Sequence, residues 1–398
     1  MMRKTKVAHF IRKFLPHFCS FVRNQIMNHK TYEPCIVYKE LIDSTFSREI
    51  MQRCVSFDCE SEKKGLSRVY SRLLYRRPFR RLIITDRKRI NRFLRSQNVS
   101  ILHFHYGTDA GMFIDALKSS GIPSVVSFYG YDNSSFPKWF LGLGAFYLRR
   151  VFRYVDYCLA MSQDMKIDLR KIGCPENKII IHYYGTDVQH FRMERFYEKK
   201  DTVTLLTVGY LVPQKGHAFT LRALREVRKH TDVHVLLRIV GTGYLESELR
   251  EYVDANGLQD CVTFVGPMSH LGNELKEEFR SADVFVHPSV VTTTYEKEGI
   301  PGAIIEAMAA GLPVISTYHA GIPYVLQHGV TGYLVREWDI GGLADAIRTL
   351  ARDVVLRRSI GERGQEYAVK HLDVNAKEAE LESIYDYVLG SRKYISFT

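Results

Sequence analysis

HPSVVTTTYEKEGIPGAIIEAMAAGL, residues His287–Leu312, decides how this chain is read. The apolar run Val284–Val286 ahead of it reads as a strand that ends at Pro288, and behind Gly299 the pattern turns helical. Pro301 suits the first helical position, where no amide donor is needed. Ala303–Ala310 is rich in strong helix formers. Gly311 is a natural stop, and Pro313 forbids continuation. The spacing predicts strand, loop and helix, with Glu298 on the loop and Glu306 about a turn and a half into the helix. Unpaired amides at a helix start favour an anion such as a diphosphate. One acid at the mouth and one deeper can each accept hydrogen bonds from the hydroxyls of a sugar nucleotide. A bare Glu-x7-Glu spacing equally marks a soluble helix with two exposed glutamates; the surrounding EGIPGAIIEAMAAGLPVIST argues against that reading.

Outward from this stretch, strands and helices alternate. Downstream of residue 202 strands are predicted at Val203–Val208, Val233–Val240, Val262–Val265, Val284–Val286, Val314–Ser316 and Tyr333–Val335. Helices are predicted at Ala218–His230, Tyr244–Asn256, Leu271–Ser281 and Ile340–Ala351, and the tail 358–390 is helical in pattern. Upstream, strands are predicted at Val7–Ile11, Cys35–Tyr38, Leu82–Ile84, Ser100–His105, Ser124–Phe128, Tyr157–Met161 and Lys178–His182. Helices are predicted at Ser20–Asn28, Arg87–Ser96, Thr108–Ser119, Gly142–Arg153 and, capped by Ser162, Gln163–Ile172. This alternation predicts an α/β fold with two Rossmann-like domains built on parallel sheets. The domains are expected at 1–190 and 203–375, joined by the polar linker 191–202, with a last helix at 376–398. Ligands of such sheets bind outside the carboxyl ends of the strands, here in a cleft between the domains.

A chain of 398 residues is too long for one ordinary core, and 45% hydrophobic with 25% charged residues is globular composition. No apolar run approaches the length of a membrane-spanning helix. The N-terminal MMRKTKVAHFIRKFLPHF lacks the continuous apolar core of a cleaved signal peptide, so none is expected. Seven scattered cysteines without CxxC pairs fit a reduced cytosol and no zinc site. The formal charge of +12 is uneven: residues 1–200 hold 36 Lys/Arg against 18 Asp/Glu, and the remainder 20 against 26. Arg68–Arg95 alone carries eleven basic residues and one acid, interleaved with aromatic and aliphatic side chains. Such a surface attracts an anionic membrane face; a solvated helix face is the plainer alternative. No nucleic-acid recognition module is visible, and no Ser-His-Asp pattern, P-loop, metal cluster or Asp-x-Asp motif is present.

In VGYLVPQKGH, Lys215 follows a strand and precedes a helix, where a lysine can reach a diphosphate and stabilise a leaving group's charge. Together with EGIPGAIIEAMAAGLPVIST, this frame resembles the donor site of retaining GT-B glycosyltransferases of family 4 (glycosyl transferases group 1), in particular the bacterial exopolysaccharide and colanic-acid type. The resemblance covers most of residues 5–375 and is strongest over 203–350. It implies a GT-B fold, with the C-terminal helix crossing back to the first domain. It implies that Glu306 holds the ribose hydroxyls, that Glu298 contacts the donor sugar, and that Gly299, Ile300 and Pro301 line sugar and phosphate. Gly209, Tyr210, Gly241, Gly243 and Met268 complete the implied donor-binding set. Tyr210 stands where the family usually has a phosphate-binding arginine. Tyr324 replaces a glutamate in HAGIPY, and Tyr129 replaces a histidine in the turn YGYD, with Asp132 as its acid. A tyrosine hydroxyl can hydrogen-bond a sugar but is no neutral-pH base. His105 is therefore the remaining histidine candidate for catalysis, beside Lys215 and Glu298; a histidine merely satisfied at a strand end is equally consistent. Tyr129, Asp132 and His17 are acceptor-side candidates.

The implied activity is metal-independent transfer of a hexose, with retention, from a UDP- or GDP-linked sugar to a lipid-linked saccharide in surface polysaccharide synthesis. The nucleotide sugar is a co-substrate, and no cofactor is expected. The implied location is the cytoplasm, peripheral to the inner membrane face. A non-catalytic sugar-nucleotide binding subunit and a GT-B sugar-nucleotide epimerase are the alternatives.

Overall fold

The computed structural model of the chain describes residues 4–14, 20–41, 48–57, 81–229, 233–270 and 272–395. The chain divides into two compact units, Met1–Gly185 with Val374–Thr398, and Thr186–Asp373.

The first unit is built on β1 (Thr5–Phe14), β2 (Tyr32–Leu41), β3 (Cys54–Ser56), β4 (Val99–His105), β5 (Ser124–Ser127), β6 (Tyr157–Ala160) and β7 (Ile179–Ile181). They form one parallel sheet in the order β3-β2-β1-β4-β5-β6-β7. Near-continuous apolar strands such as Val125–Val126 are buried on both faces, as parallel sheets require. The helix Val374–Ile395 seals one face of this sheet: its Leu381, Tyr385 and Val388 pack with Val7, Ile101, Val125 and Leu159.

The second unit carries β8 (Thr202–Val208), β9 (His234–Val240), β10 (Val262–Gly266), β11 (Val284–His287), β12 (Val314–Thr317) and β13 (Tyr333–Val335). Their order is β10-β9-β8-β11-β12-β13, again parallel throughout. The order reverses at β8, so the loops after β8 and β11 leave the same edge side by side. Helix His217–Lys229 fills one face through Phe219, Leu221, Ala223, Leu224 and Val227, the apolar stripe visible in its sequence.

Several expectations are corrected. Leu82–Ile84 is not a strand: Ile84 begins the helix Ile84–Gln97, with Ile83 extended at its N-cap. Thr108–Ser119 is two helices, Gly107–Met112 and Ile114–Ser120. The break falls at Phe113, whose buried ring meets Phe10 and Phe57 edge-on. The signature helix is Gly302–Ala309, with Pro301 extended at its N-cap rather than inside it. The tail is two helices, Val354–His371 and Val374–Ile395.

The stretch 191–202 is not a free linker either, since the division falls at Gly185/Thr186. Val188–Phe191 is helical, and the polar residues after it are bound down on the second unit. The Arg195 guanidinium donates to the carbonyls of Ala310, Ala282 and Phe279, Tyr197 donates to Gly311, and the buried Arg357 donates to Glu198. Polar composition reads as linker, but here it serves to satisfy helix-end carbonyls.

Candidate active site

The carboxyl edge of the second sheet is laced together by backbone. Gly209 donates to Val240, Leu211 to Thr242 and Gly241 to Gly266, so the loops after β8, β9 and β10 are locked in register. Gly241 has φ 144°, and a Cβ there would lie 2.0 Å from the Gly209 carbonyl oxygen. Only glycine permits that approach.

The loop after β8 turns through Pro213–Lys215 and closes on Gly216 at φ 70°. A Cβ on Gly216 would stand 2.0 Å from the Pro288 carbonyl, and the Val290 amide donates to Gln214. The β8 turn is thereby pressed onto the β11 loop, and Lys215 Nζ reaches Glu298 Oε1 at 2.6 Å. Ser289 Oγ donates to Glu298 Oε2 at 3.2 Å, and His287 Nε2 stands 3.6 Å from the same oxygen. Burial opposes ionisation of Glu298, but the Lys215 ammonium and His287 outweigh it and hold the carboxyl well below the usual range. Burial keeps His287 below its ordinary value, and Lys215 adds to that.

Glu298 is also fixed through its backbone. Its amide donates to His319 Nε2 at 3.1 Å, so the proton of that neutral ring is on Nδ1, which donates to Glu337 Oε1 at 2.8 Å. Glu337 in turn accepts from the Val291 amide at 2.7 Å. Burial pushes the Glu337 carboxyl up, but His319 and that amide prevail and leave it lowered. His319 lies in the HAGIPY segment, yet its bond to the Glu298 amide depends on how two loops fold and has no sequence signal. Tyr324 is half-exposed.

Glu306 is buried in the helix Gly302–Ala309, and its Oε1 lies 2.7 Å from His270 Nε2. The Glu306 carboxylate raises His270 against the pull of burial. His270 stands two residues past the expected Met268, and its one signal in the sequence is a histidine at the end of a Gly-Pro turn. Of the remaining donor-site candidates, Ile300 is buried, the Gly299 carbonyl accepts from the Gly321 amide, and Tyr210 is 42% exposed. Lys215, Glu298 and Glu306 thus stand on one edge, on the loops and helix that follow adjacent strands β8 and β11.

The first-unit candidates fare differently. His105 is wholly buried at the end of β4, with His9 on Nε2 and Tyr129 on Nδ1, so it acts on any ligand only through Tyr129. Asp132 is not an acceptor contact. It is fully buried and accepts from the Gly107 amide at 2.7 Å and the Tyr129 amide at 3.1 Å, pinning the turn. Burial pushes its carboxyl up to about 6 despite those amides. His17 lies outside the described residues.

Asp132→Asn should cost about 1–3 kcal/mol of stability, because one amide oxygen cannot replace two and an NH₂ then faces a backbone N–H. The deficit should shrink as pH rises from about 4 to 6: the native acid's raised value means its own contribution to stability falls over that window. Chemical denaturation at pH 4.5 and 7.5 checks both statements.

Residues 202–353 match a family model described as glycosyl transferases group 1, and residues 50–190 match one described as Glycosyltransferase Family 4. The chain is 32% identical over 238 residues to the putative colanic acid biosynthesis glycosyltransferase WcaL of Salmonella typhimurium, covering 59% of this chain and 58% of that protein. It is 30% identical over 255 residues to the amylovoran biosynthesis glycosyltransferase AmsK of Erwinia amylovora, covering 64% of this chain and 61% of that protein. It thus spans about three fifths of the length of these curated relatives. Among solved structures it resembles Anabaena HepE in complex with UDP, with a TM-score of 0.76 at 16% identity over 96% of this chain and 100% of that one.

Proposed function

We propose that this chain, which belongs to the group 1 glycosyltransferases, moves a hexose from a nucleoside diphosphate sugar to a hydroxyl of a lipid-linked saccharide in bacterial surface polysaccharide synthesis. The observation that carries this reading is the Lys215–Glu298 ion pair on the same sheet edge as Glu306 and the start of its helix. Two oxygens of Glu306 suit the two hydroxyls of a ribose. The free amides at Gly302 and Ala303, with Lys215, suit the diphosphate. Glu298 keeps lone pairs beyond those used by Lys215 and Ser289, and these suit hydroxyls of the transferred sugar. Its fixed negative charge also favours an electron-poor anomeric carbon.

Retention follows from a front-face route. The acceptor hydroxyl attacks the anomeric carbon on the face the diphosphate leaves; the leaving oxygen takes the acceptor proton, and Lys215 and the helix amides hold the remaining charge. Names of the relatives, colanic acid and amylovoran synthesis, support a surface polysaccharide as the product class. Nucleotide release from UDP-, GDP- and ADP-sugars, with and without lipid-linked saccharide, tests the reading. Release by one donor with acceptor present supports it; tight binding of a donor without release by any acceptor favours the non-catalytic subunit.

Membrane docking has support of its own. No helix among the described residues is long and apolar enough to cross a membrane. Arg68–Arg80 lie outside the described residues, and helix Ile84–Gln97 buries Ile90 and Leu94 while Arg92 and Arg95 face solvent. Leu141, Leu143 and Phe146 are also exposed, beside the exposed Lys138, Arg149 and Arg153. Removing Leu141 and Phe146 together with Lys138, each as glutamine, should weaken binding to phosphatidylglycerol vesicles at least about tenfold, since one cation near an anionic surface is worth about 1 kcal/mol. Unchanged co-sedimentation would reject this docking face.

A further inference from the structure

In the first unit, side chains from the last helix, the residue after the helix Ser20–Asn28, β1, β4 and the turn after β5 form a buried row of close polar contacts. His29 Nδ1 lies 2.6 Å from Glu378 Oε1 and 3.5 Å from Glu382 Oε1, both on the last helix. His29 Nε2 is 2.9 Å from His9 Nε2 on β1. His9 Nδ1 is 3.0 Å from His105 Nε2 at the end of β4, and His105 Nδ1 is 2.7 Å from the Tyr129 hydroxyl just past β5. His9 and His105 have no exposed surface, and the His29 side chain is 1% exposed.

His9, His103 and His105 each offer a nitrogen within 4.8 Å of the others, a spacing that a cation could also use. Both nitrogens of His103 are engaged, however, with the Tyr385 hydroxyl at 2.6 Å and Ser127 Oγ at 2.7 Å. The 3.0 Å separation of His9 and His105 is that of a hydrogen bond. The arrangement is a row of hydrogen-bonded imidazoles.

Its direction is set at one end. When His29 is charged, its Nε2–H must donate to His9 Nε2. The single proton of neutral His9 is then on Nδ1 and donates to His105 Nε2, and the proton of His105 is on Nδ1 and donates to Tyr129. When His29 is neutral with its proton toward Glu378, every link reverses and Tyr129 donates inward. We propose that this chain is a two-state relay that sets the Tyr129 hydroxyl as the hydrogen-bonding group for a saccharide hydroxyl, its proton turned outward while His29 is charged and inward when His29 is neutral. The relay rests on the transferase reading for its substrate, but not for its existence.

Protons balance along it. When the row discharges, Tyr129 releases its proton to solvent, His105 refills Tyr129 from Nδ1, His9 refills His105 and His29 refills His9, leaving His29 neutral. Recharging runs the same steps in reverse, and the sugar transfer itself draws no proton from the row, because the leaving oxygen takes that of the acceptor. Burial holds His9 and His105 neutral. Burial also opposes charge on His29, but Glu378 and Glu382 outweigh it and raise His29. The groups facing that end are Glu378, Glu382 and Tyr385 from the last helix, His9 from β1, Tyr32 from β2, and Lys30. The Tyr129 hydroxyl also donates to Oε1 of the buried Gln25 at 3.4 Å, the bond a saccharide hydroxyl would have to share or replace, and its ring packs against Phe21, Tyr106 and Tyr184.

The test reads tautomers directly by ¹⁵N spectroscopy of histidine in the full chain. Below the His29 midpoint, His9 and His105 should both carry the proton on Nδ1 and His29 should be doubly protonated. Raising pH should convert His9 and His105 to Nε2–H with one shared midpoint, and Tyr129→Phe should move all three signals. Separate midpoints, or a Tyr129→Phe change confined to His105, would overturn the relay whether or not any donor is turned over. With the donor found by nucleotide release, Tyr129→Phe and His9→Gln should each lower kcat about 10²-fold, leave the donor's Kd unchanged, and cost no more together than singly. Multiplying effects, or full kcat in a folded His9→Gln, would also overturn it.

Discussion

Lys215→Ala lowers turnover about 10²–10³-fold, the size expected when a preorganised cation facing a developing oxyanion is removed. The variant has a second signature, because Lys215 also neutralises Glu298. Leaving one member of such a pair unpaired costs about 3–5 kcal/mol when nothing else compensates. His287 can compensate. It is buried 3.6 Å from Glu298 and is held down by burial and in part by Lys215 itself. Without the ammonium, His287 should take up a proton more readily and limit the loss. The pH dependence has a definite sign. The Glu298 value is depressed in the folded protein, so its contribution to stability is present above the ordinary glutamate range and lost as pH falls through the folded value. The stability deficit of Lys215→Ala is therefore widest near pH 7 and narrows in acid. Lys215→Arg keeps the charge and should recover stability more fully than rate, because a planar guanidinium does not reproduce a point charge on a phosphate.

Glu306→Gln weakens nucleoside diphosphate affinity about 10²-fold, the equivalent of roughly 3 kcal/mol for charge-assisted bonds to a ribose. His270 makes this effect pH-dependent. Its Nε2 occupies Glu306 Oε1 in the structure, so a charged His270 competes with ribose hydroxyls for that oxygen. Glu306 raises His270 above the usual imidazole value. The pair therefore stabilises the unliganded protein fully below about pH 6.5, and that contribution is lost as pH rises through the raised value. Nucleotide affinity should tighten across the same window, and the dependence should vanish in Glu306→Gln. Calorimetric titration with UDP and GDP between pH 6 and 8.5 measures both.

What was legible in the sequence divides along physical lines. Helix Ser20–Asn28 lies where the sequence places a helix from about Ser20 to Asn28. The Ser162 cap rests on a local side-chain bond, and Ser162 accepts from the Met165 amide as its position demanded. Lys215 and Glu298 are legible from their local frames, VGYLVPQKGH and EGIPGAIIEAMAAGL, and from the resemblance those frames carry, whereas the press of Gly216 on Pro288 that brings the two loops together is visible only in the structure. Leu82–Ile84 misled because three aliphatics in a row fit either element. Burial tells them apart, since Leu82 is buried while Ile84 is 63% exposed at a helix start. The break at Phe113 depends on rings from β1 and from residue 57, which no local window contains. The relay was least visible of all: His29 meets Glu378 only because the last helix returns to the first sheet. His105 drew notice as a strand-end histidine, but its partners His9 and His29 carried no pattern of their own.

In the proposed function Lys215, Glu298 and Glu306 surround a single nucleotide sugar. Calorimetric titration of the wild type and three variants with uridine or guanosine, the matching diphosphate, and its sugar conjugate tests this arrangement in steps. Glu306→Gln should weaken all three ligands, Lys215→Ala only the two that carry phosphate, and Glu298→Gln only the increment from the sugar. Uniform losses across the ligands in every variant, or wild-type affinities in Lys215→Ala and Glu306→Gln, would contradict it.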